Sequence, residues 1–194
     1  GGNGSDGNGN SGGGGSGGAV WFNFTSNGTY AGAGSVDVSG GSGVEDDASS
    51  DYGGAGGGGR IAVTGYNSYT FSGTHTYNSG NTDGCCNTGP RDGGGGTLWL
   101  KNASLVVDMY IGRVIDSVDL TPTNITSTVS VANLTILTGG YLFIGPAVTL
   151  TLSSSSTIGT STGTAYLDVD GIFAVTSTFS VPTKLELQIS PTDF

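Results

Sequence analysis

Six Asn-X-Ser/Thr triplets, at Asn3, Asn23, Asn27, Asn102, Asn124 and Asn133, are the densest chemistry-bearing pattern in the chain. Each presents a side-chain amide nitrogen to which an oligosaccharide is joined when the segment lies on the surface of a secreted protein. The chain holds 12 Asn, and Ser plus Thr make up about a quarter of it. That composition alone would give roughly three such triplets. The plain alternative is compositional, since Asn and Thr are common in β-rich loops. The excess favours N-linked glycans at several of the six.

The two cysteines are adjacent, Cys85-Cys86. They have neither the Cys-X-X-Cys spacing nor the further Cys or His that a zinc site needs. In an oxidising compartment they either close a vicinal disulfide or reach other chains. Two acidic clusters offer oxygen ligands to calcium: Glu45, Asp46, Asp47 and Asp51, and then Asp168-Val169-Asp170-Gly171. Asp46, Asp47, Asp168 and Asp170 are the candidates, because carboxylates and carbonyls in Gly-rich turns suit this ion. Neither cluster has the EF-hand spacing or a Gly-Gly-X-Gly-X-Asp repeat, which favours solvated acidic loops instead.

Catalytic groupings are sparse. The one histidine, His75, stands in Gly73-Thr74-His75-Thr76, and a lone His is more often a surface residue than a catalyst. Asn81-Thr82-Asp83-Gly84 resembles the Asn-Thr-Asp motif of polygalacturonases. Those enzymes also use an Asp pair, a Gly-His-Gly and an Arg-Ile-Lys downstream, whereas here the acidic run Glu45-Asp46-Asp47 lies upstream and neither a Gly-His-Gly nor an Arg-Ile-Lys exists. Inverting hydrolysis needs two carboxylates facing one bond, so a hydrolase or lyase is the lesser reading and no catalytic residue is assigned. Thr-X-Thr pairs at Thr149/Thr151, Thr160/Thr162/Thr164 and Thr176/Thr178 raise ice binding, but their spacing does not repeat on one face. Trp21, Tyr30, Tyr52, Tyr66, Tyr69 and Tyr77 read as exposed aromatics that could stack on sugars.

The elements that would carry these residues are β-strands. Glycine supplies 39 of 194 residues, and 5 cations face 15 acids for a net charge of −10. Five cations cannot make a basic stripe, which argues against nucleic acid as a partner. No apolar run is long enough to span a membrane. No Gly-X-Y period exists, which excludes collagen. Residues that favour long helices are scarce.

Composition divides the chain into a Gly-rich part, 1–96, and a Ser/Thr-rich part, 97–194, read as continuous with each other. Glycine runs lead three times into short apolar strands beginning near Val20, Ile61 and Leu98, with second strands at 34–38, 69–71 and 105–107. In the second part, alternating apolar residues start near Val131, Val148, Tyr166 and Leu185. Such spacings predict a parallel β-helix, a solenoid with about 18–20 residues per coil and glycine at the corners. The expected core is Leu134, Ile136, Leu142, Ile144, Val148, Leu150, Leu152, Ile158, Leu167, Val169, Ile172, Val175, Leu185, Leu187 and Ile189. A β-sandwich is the rival architecture.

Residues 12–65 carry a resemblance. They read Gly17-Gly18-Ala19-Val20-Trp21-Phe22, then Gly32-Ala33-Gly34-Ser35-Val36-Asp37-Val38, and close with Gly56-Gly57-Gly58-Gly59-Arg60-Ile61-Ala62-Val63. This resembles the repeats of large secreted glycine-rich proteins of algae, protists and plants, with a degenerate echo to residue 107. The resemblance implies a pectin-lyase-like parallel β-helix with a structural or adhesive role. Together with the sequons and the acidity, it leads to the expectation of an extracellular structural glycoprotein rather than an enzyme. Such a chain would be a segment of something longer or would stack end to end on its own copies into a fibril or coat. A carbohydrate-binding adhesin is the alternative.

Overall fold

A computed structural model of the chain describes residues 1–5, 12–44, 53–81, 93–113, 121–154, 156–157, 164–176, 179–180 and 184–189, with residues 26, 27, 156, 157, 179, 180, 184, 188 and 189 described in backbone only. Asp46, Asp47, Cys85 and Cys86 lie outside the described residues, as do the side chains of Asn27, Ile158 and Ile189. The described residues form strands β1 (Ala19–Gly32), β2 (Ser35–Asp37), β3 (Arg60–Phe71), β4 (Thr74–Thr76), β5 (Thr97–Asn102), β6 (Val107–Ile111), β7 (Thr123–Ile125) and β8 (Val129–Val131). They continue as β9 (Asn133–Ile136), β10 (Tyr141–Ile144), β11 (Thr149–Leu152), β12 (Ser156–Thr157), β13 (Thr164–Val169), β14 (Ile172–Val175), β15 (Phe179–Ser180) and β16 (Lys184–Ile189).

The all-β expectation holds, but the single parallel β-helix does not. The strands fall into five separate sheets, ordered β1-β3-β5-β6-β9, β16-β13-β10-β7, β14-β11-β8, β12-β15 and β2-β4. None of these orders closes on itself, and β5 pairs antiparallel with β6. The reversal has a local cause. Residues 105–107 read as a strand in the sequence, yet Leu105 has φ 64° and turns the chain back. Its amide donates to the Asn102 carbonyl at 3.1 Å, the Asn102 amide donates to the Val106 carbonyl at 3.0 Å, and the Asn102 side-chain oxygen accepts from the Val106 amide at 2.9 Å. A two-strand hairpin is closed there instead of a coil. Nor is the spacing constant. Thr123, Leu142, Leu167 and Leu187 form one paired row at intervals of 19, 25 and 20 residues.

Alternation sets the faces. Leu142, Ile144, Leu150, Leu152, Leu167 and Val169 point into one core with Leu134 and Ile136, while their neighbours Tyr141, Phe143, Thr149, Thr151, Tyr166 and Asp168 are half-buried. Two expected core residues are exposed. Ile172 is 60% exposed because it pairs with Thr149, whereas Phe173 and Val175 pair with the buried Leu150 and Leu152. Residues 172 and 175 are an odd number apart, so one strand cannot point both inward. Leu187 pairs with buried Leu167, yet it is 50% exposed because β16 is an edge strand. A second core gathers Tyr30, Val38, Ile61, Val63, Tyr66, Tyr77, Leu98 and Leu100 on one face of the five-stranded sheet.

The glycine runs are not corners. They are extended segments that bond to one another at intervals of three residues. The amides of Gly53, Gly56 and Gly59 donate to the carbonyls of Val44, Gly41 and Val38. Those of Gly14 and Gly17 donate to Gly54 and Gly57, and those of Gly40 and Gly43 to Asn78 and Asn81. The segment 38–44 turns a third set outward, with Gly41 and Val44 donating to Gly15 and Gly12. An extended chain with three residues per turn sends successive amides to different neighbours, whereas a β-strand has only two bonding edges. The segments pack so closely that many positions exclude a side chain, and a Cβ at Gly14, Gly17, Gly40, Gly41, Gly43, Gly56 or Gly59 would overlap the backbone of a neighbouring segment. A Cβ at Gly17 would overlap the Val38 carbonyl oxygen and lie 2.5 Å from the Gly59 nitrogen, while at the adjacent Gly18 it would meet nothing within 4 Å. This part of the fold is a core made of backbone.

Candidate functional site

Strands β1, β3 and β5 turn a polar-aromatic face away from the aromatic core, and Trp99 on this face packs against the other core. In-register pairing lines up Ala19, Arg60 and Thr97 in one row, Trp21, Ala62 and Trp99 in the next, and Asn23, Thr64 and Lys101 in a third. Trp21 is 69% exposed. Its orientation is nevertheless fixed: the indole Nε1 donates to Thr64 Oγ1 at 2.9 Å. The same hydroxyl donates to Asn23 Oδ1 at 3.0 Å. The small Ala62 between two tryptophan positions leaves room for the indole to lean across β3. Beside this face, Arg60, Thr97, Trp99, Met109, Thr126 and Val129 line an open cleft of about 400 Å³. Asn124 borders it and two adjoining clefts.

The sequon asparagines are scattered over the fold rather than gathered. Asn3, Asn23 and Asn124 are exposed, whereas Asn102 and Asn133 are half-buried. Asn3 Oδ1 accepts from the Ser42 amide at 2.9 Å. Asn102 caps the β5–β6 turn through Oδ1. Asn133 differs, because its Nδ2, the atom that a glycan would occupy, donates to Asp108 Oδ1 at 2.5 Å. Asn27 lies within the irregular stretch of β1, where register shifts between Asn23 and Gly28.

The aromatics divide differently from the sequence reading. Tyr30, Tyr66 and Tyr77 are buried, Trp21 and Tyr69 remain exposed, and Tyr52 lies outside the described residues. Tyr30 is the hub of a ring cluster. It stacks on Phe71 with centroids 4.8 Å apart and contacts Phe22, Phe24 and Tyr69. Strict alternation could have revealed this, since Phe22, Phe24 and Tyr30 sit at even positions on a strand whose odd position 21 is exposed. His75 joins the cluster, 4.7 Å from Phe71 by ring centroid and 2.7 Å from the Tyr30 hydroxyl through Nε2. Burial holds the imidazole below its ordinary value of 6.5, so near neutral pH the ring that shares this hydrogen bond with the hydroxyl is neutral. These contacts are those of a packed histidine.

Of the calcium candidates, Asp168 accepts a hydrogen bond from the Tyr141 hydroxyl at 3.1 Å through Oδ2. Burial and the Asp168 charge push the Tyr141 phenol up to about 12. Among the described residues no three His, Cys, Asp or Glu side chains converge on one point. No helix among the described residues is long and apolar enough to cross a membrane.

No protein-family model matches the chain, and no curated protein or solved structure matches it either. The likeness to glycine-rich repeat proteins therefore rests on the residues quoted above.

Proposed function

We propose that the protein is an extracellular structural glycoprotein, a subunit or segment of a self-assembling fibril or surface coat. The observation that carries this reading is the distribution of open sheet edges. In every sheet one edge is the earliest strand in the chain and the other is the latest. The early edges are β1, β2, β7, β8 and β12 and the late ones β4, β9, β14, β15 and β16, so the chain's first two strands and its last three are all edge strands. β1 runs 14 residues, a long template of backbone donors and acceptors. On β16, Leu187 has the phase of a core residue yet is half exposed. Parallel strand addition by another copy would satisfy both edges. Glycans on the exposed Asn3, Asn23 and Asn124 would hinder sideways association while leaving strand addition open.

The test is electron microscopy and light scattering of the chain secreted from a glycosylating host. The expected result is linear oligomers that lengthen with concentration and are abolished by Leu187→Lys without loss of the fold. Monodisperse monomers at every concentration would refute it. A second reading, a carbohydrate-binding module, is favoured by the cleft between Arg60, Trp99 and Asn124. A glycan array and quenching of tryptophan emission by free oligosaccharides would distinguish it.

A further inference from the structure

We infer that the first sugar of an N-linked glycan on Asn23 packs on the exposed indole of Trp21, so that this sequon is a site where glycan and fold stabilise each other. The inference rests on the glycoprotein reading above and selects one of its six sites. Three observations carry it. Residues 21 and 23 lie on the same face of β1, and their Cα atoms are about 6.8 Å apart at ordinary strand rise. That is within reach of a sugar ring joined to a short Asn side chain. The indole is 69% exposed yet anchored through Nε1 to Thr64, so a flat apolar surface is already held in place before any sugar arrives. The Asn23 amide is oriented by the same hydroxyl through Oδ1. Glycosylation replaces one hydrogen on Nδ2 and leaves Oδ1 an acceptor, so the network survives the modification. Sugar C–H groups then meet the ring face, as in other aromatic recognition of saccharides, and the Trp21 surface leaves water. At Asn133 the opposite holds, since Nδ2 itself is engaged with Asp108.

Thr25→Ala removes the sequon while keeping Asn23, Thr64 and Trp21. The experiment secretes four chains from a glycosylating host: the parent, Thr25→Ala, Trp21→Ala, and both together. Site occupancy is read by glycopeptide mass spectrometry and thermal stability by melting, before and after trimming the glycans to one sugar. The expected result is occupancy at Asn23 and a parent Tm about 2–4 °C above Thr25→Ala. The difference should persist after trimming and vanish on the Trp21→Ala background, with Trp21→Phe restoring part of it. Occupancy at Asn23 with the same difference in both backgrounds would overturn the contact and leave the glycoprotein reading intact. Occupancy elsewhere but not at Asn23 would do the same. No occupancy at any sequon would overturn both.

Discussion

Gly17→Ala and Gly18→Ala are neighbouring, chemically identical substitutions for which the structure predicts opposite outcomes. Gly17 faces the junction of two other glycine segments. Its new Cβ would lie 2.5 Å from the Gly59 nitrogen and 2.9 Å from the Val38 carbonyl carbon, on either side of the 2.7 Å bond from the Gly59 amide to the Val38 carbonyl. Restoring ordinary contact distance requires the segments to part by roughly 1 Å, which stretches that bond past useful length. One interior hydrogen bond is lost, and a donor and an acceptor are left unsatisfied. Together these cost about 2–4 kcal/mol. Gly18 faces solvent, and its Cβ meets nothing within 4 Å. There the loss of unfolded-state freedom should stabilise by about 0.4–1 kcal/mol. Urea denaturation followed by far-ultraviolet circular dichroism measures both. Equal effects, or a tolerated Gly17→Ala, would refute the three-residue packing.

Ala147 and Leu105 have φ values of 60° and 64°. The Val148 amide bonds to the Gly145 carbonyl at 3.2 Å across Pro146-Ala147, a turn that calls for Gly at its third position. Ala147→Gly and Leu105→Gly should each stabilise by about 0.5–1 kcal/mol, read as a raised urea midpoint. Leu150 is wholly buried between the paired Val129 and Phe173. Leu150→Ala should cost about 2–5 kcal/mol in the same assay. The depressed imidazole of His75 means that the unfolded chain binds the proton first on acidification. Its contribution is complete above pH 6.5 and declines as pH falls below that value toward the folded pKa. Denaturation at several pH values should show this slope in the parent and not in His75→Phe. Burial raises Tyr30, Tyr66, Tyr69, Tyr77, Tyr110 and Tyr141. Their contribution is complete below pH 10 and is lost as pH rises from there, with Tyr141 itself at about 12. Phenolate absorbance should therefore lag behind that of free tyrosine until the chain unfolds.

The β character and much of the core of the Ser/Thr-rich part were legible because period-2 alternation is a local signal. Leu142/Ile144, Leu150/Leu152 and Leu167/Val169 face inward as the pattern required. The direction of pairing was not legible. Leu105-Val106-Val107 has strand propensity, and only the left-handed Leu105 with the Asn102 cap reveals the turn. Partner distances in the sheets also vary too much to define a coil. In the first part, the spacing of glycine runs correctly marked β1, β3 and β5, which pair in parallel order. The packing of the runs themselves was hidden, because a glycine that excludes a side chain and one that faces water are the same letter. At the candidate site, the exposed Trp21 was recognised from composition. The burial of Tyr66 and Tyr77 follows from long-range packing that no spacing reveals. The bond from Asn133 to Asp108 likewise joins residues distant in sequence.

Amide hydrogen exchange of the native protein, labelled with ¹⁵N at glycine, tests the glycine core most directly. The account predicts slow exchange at Gly41, Gly56, Gly59, Gly80 and Gly96, whose amides donate to Gly15, Gly41, Val38, Gly56 and Tyr77, with protection like that of the central strand β3. The solvent-facing Gly13 and Gly18 should exchange much faster. Uniformly fast exchange throughout the glycine segments, beside a protected β3, would contradict it.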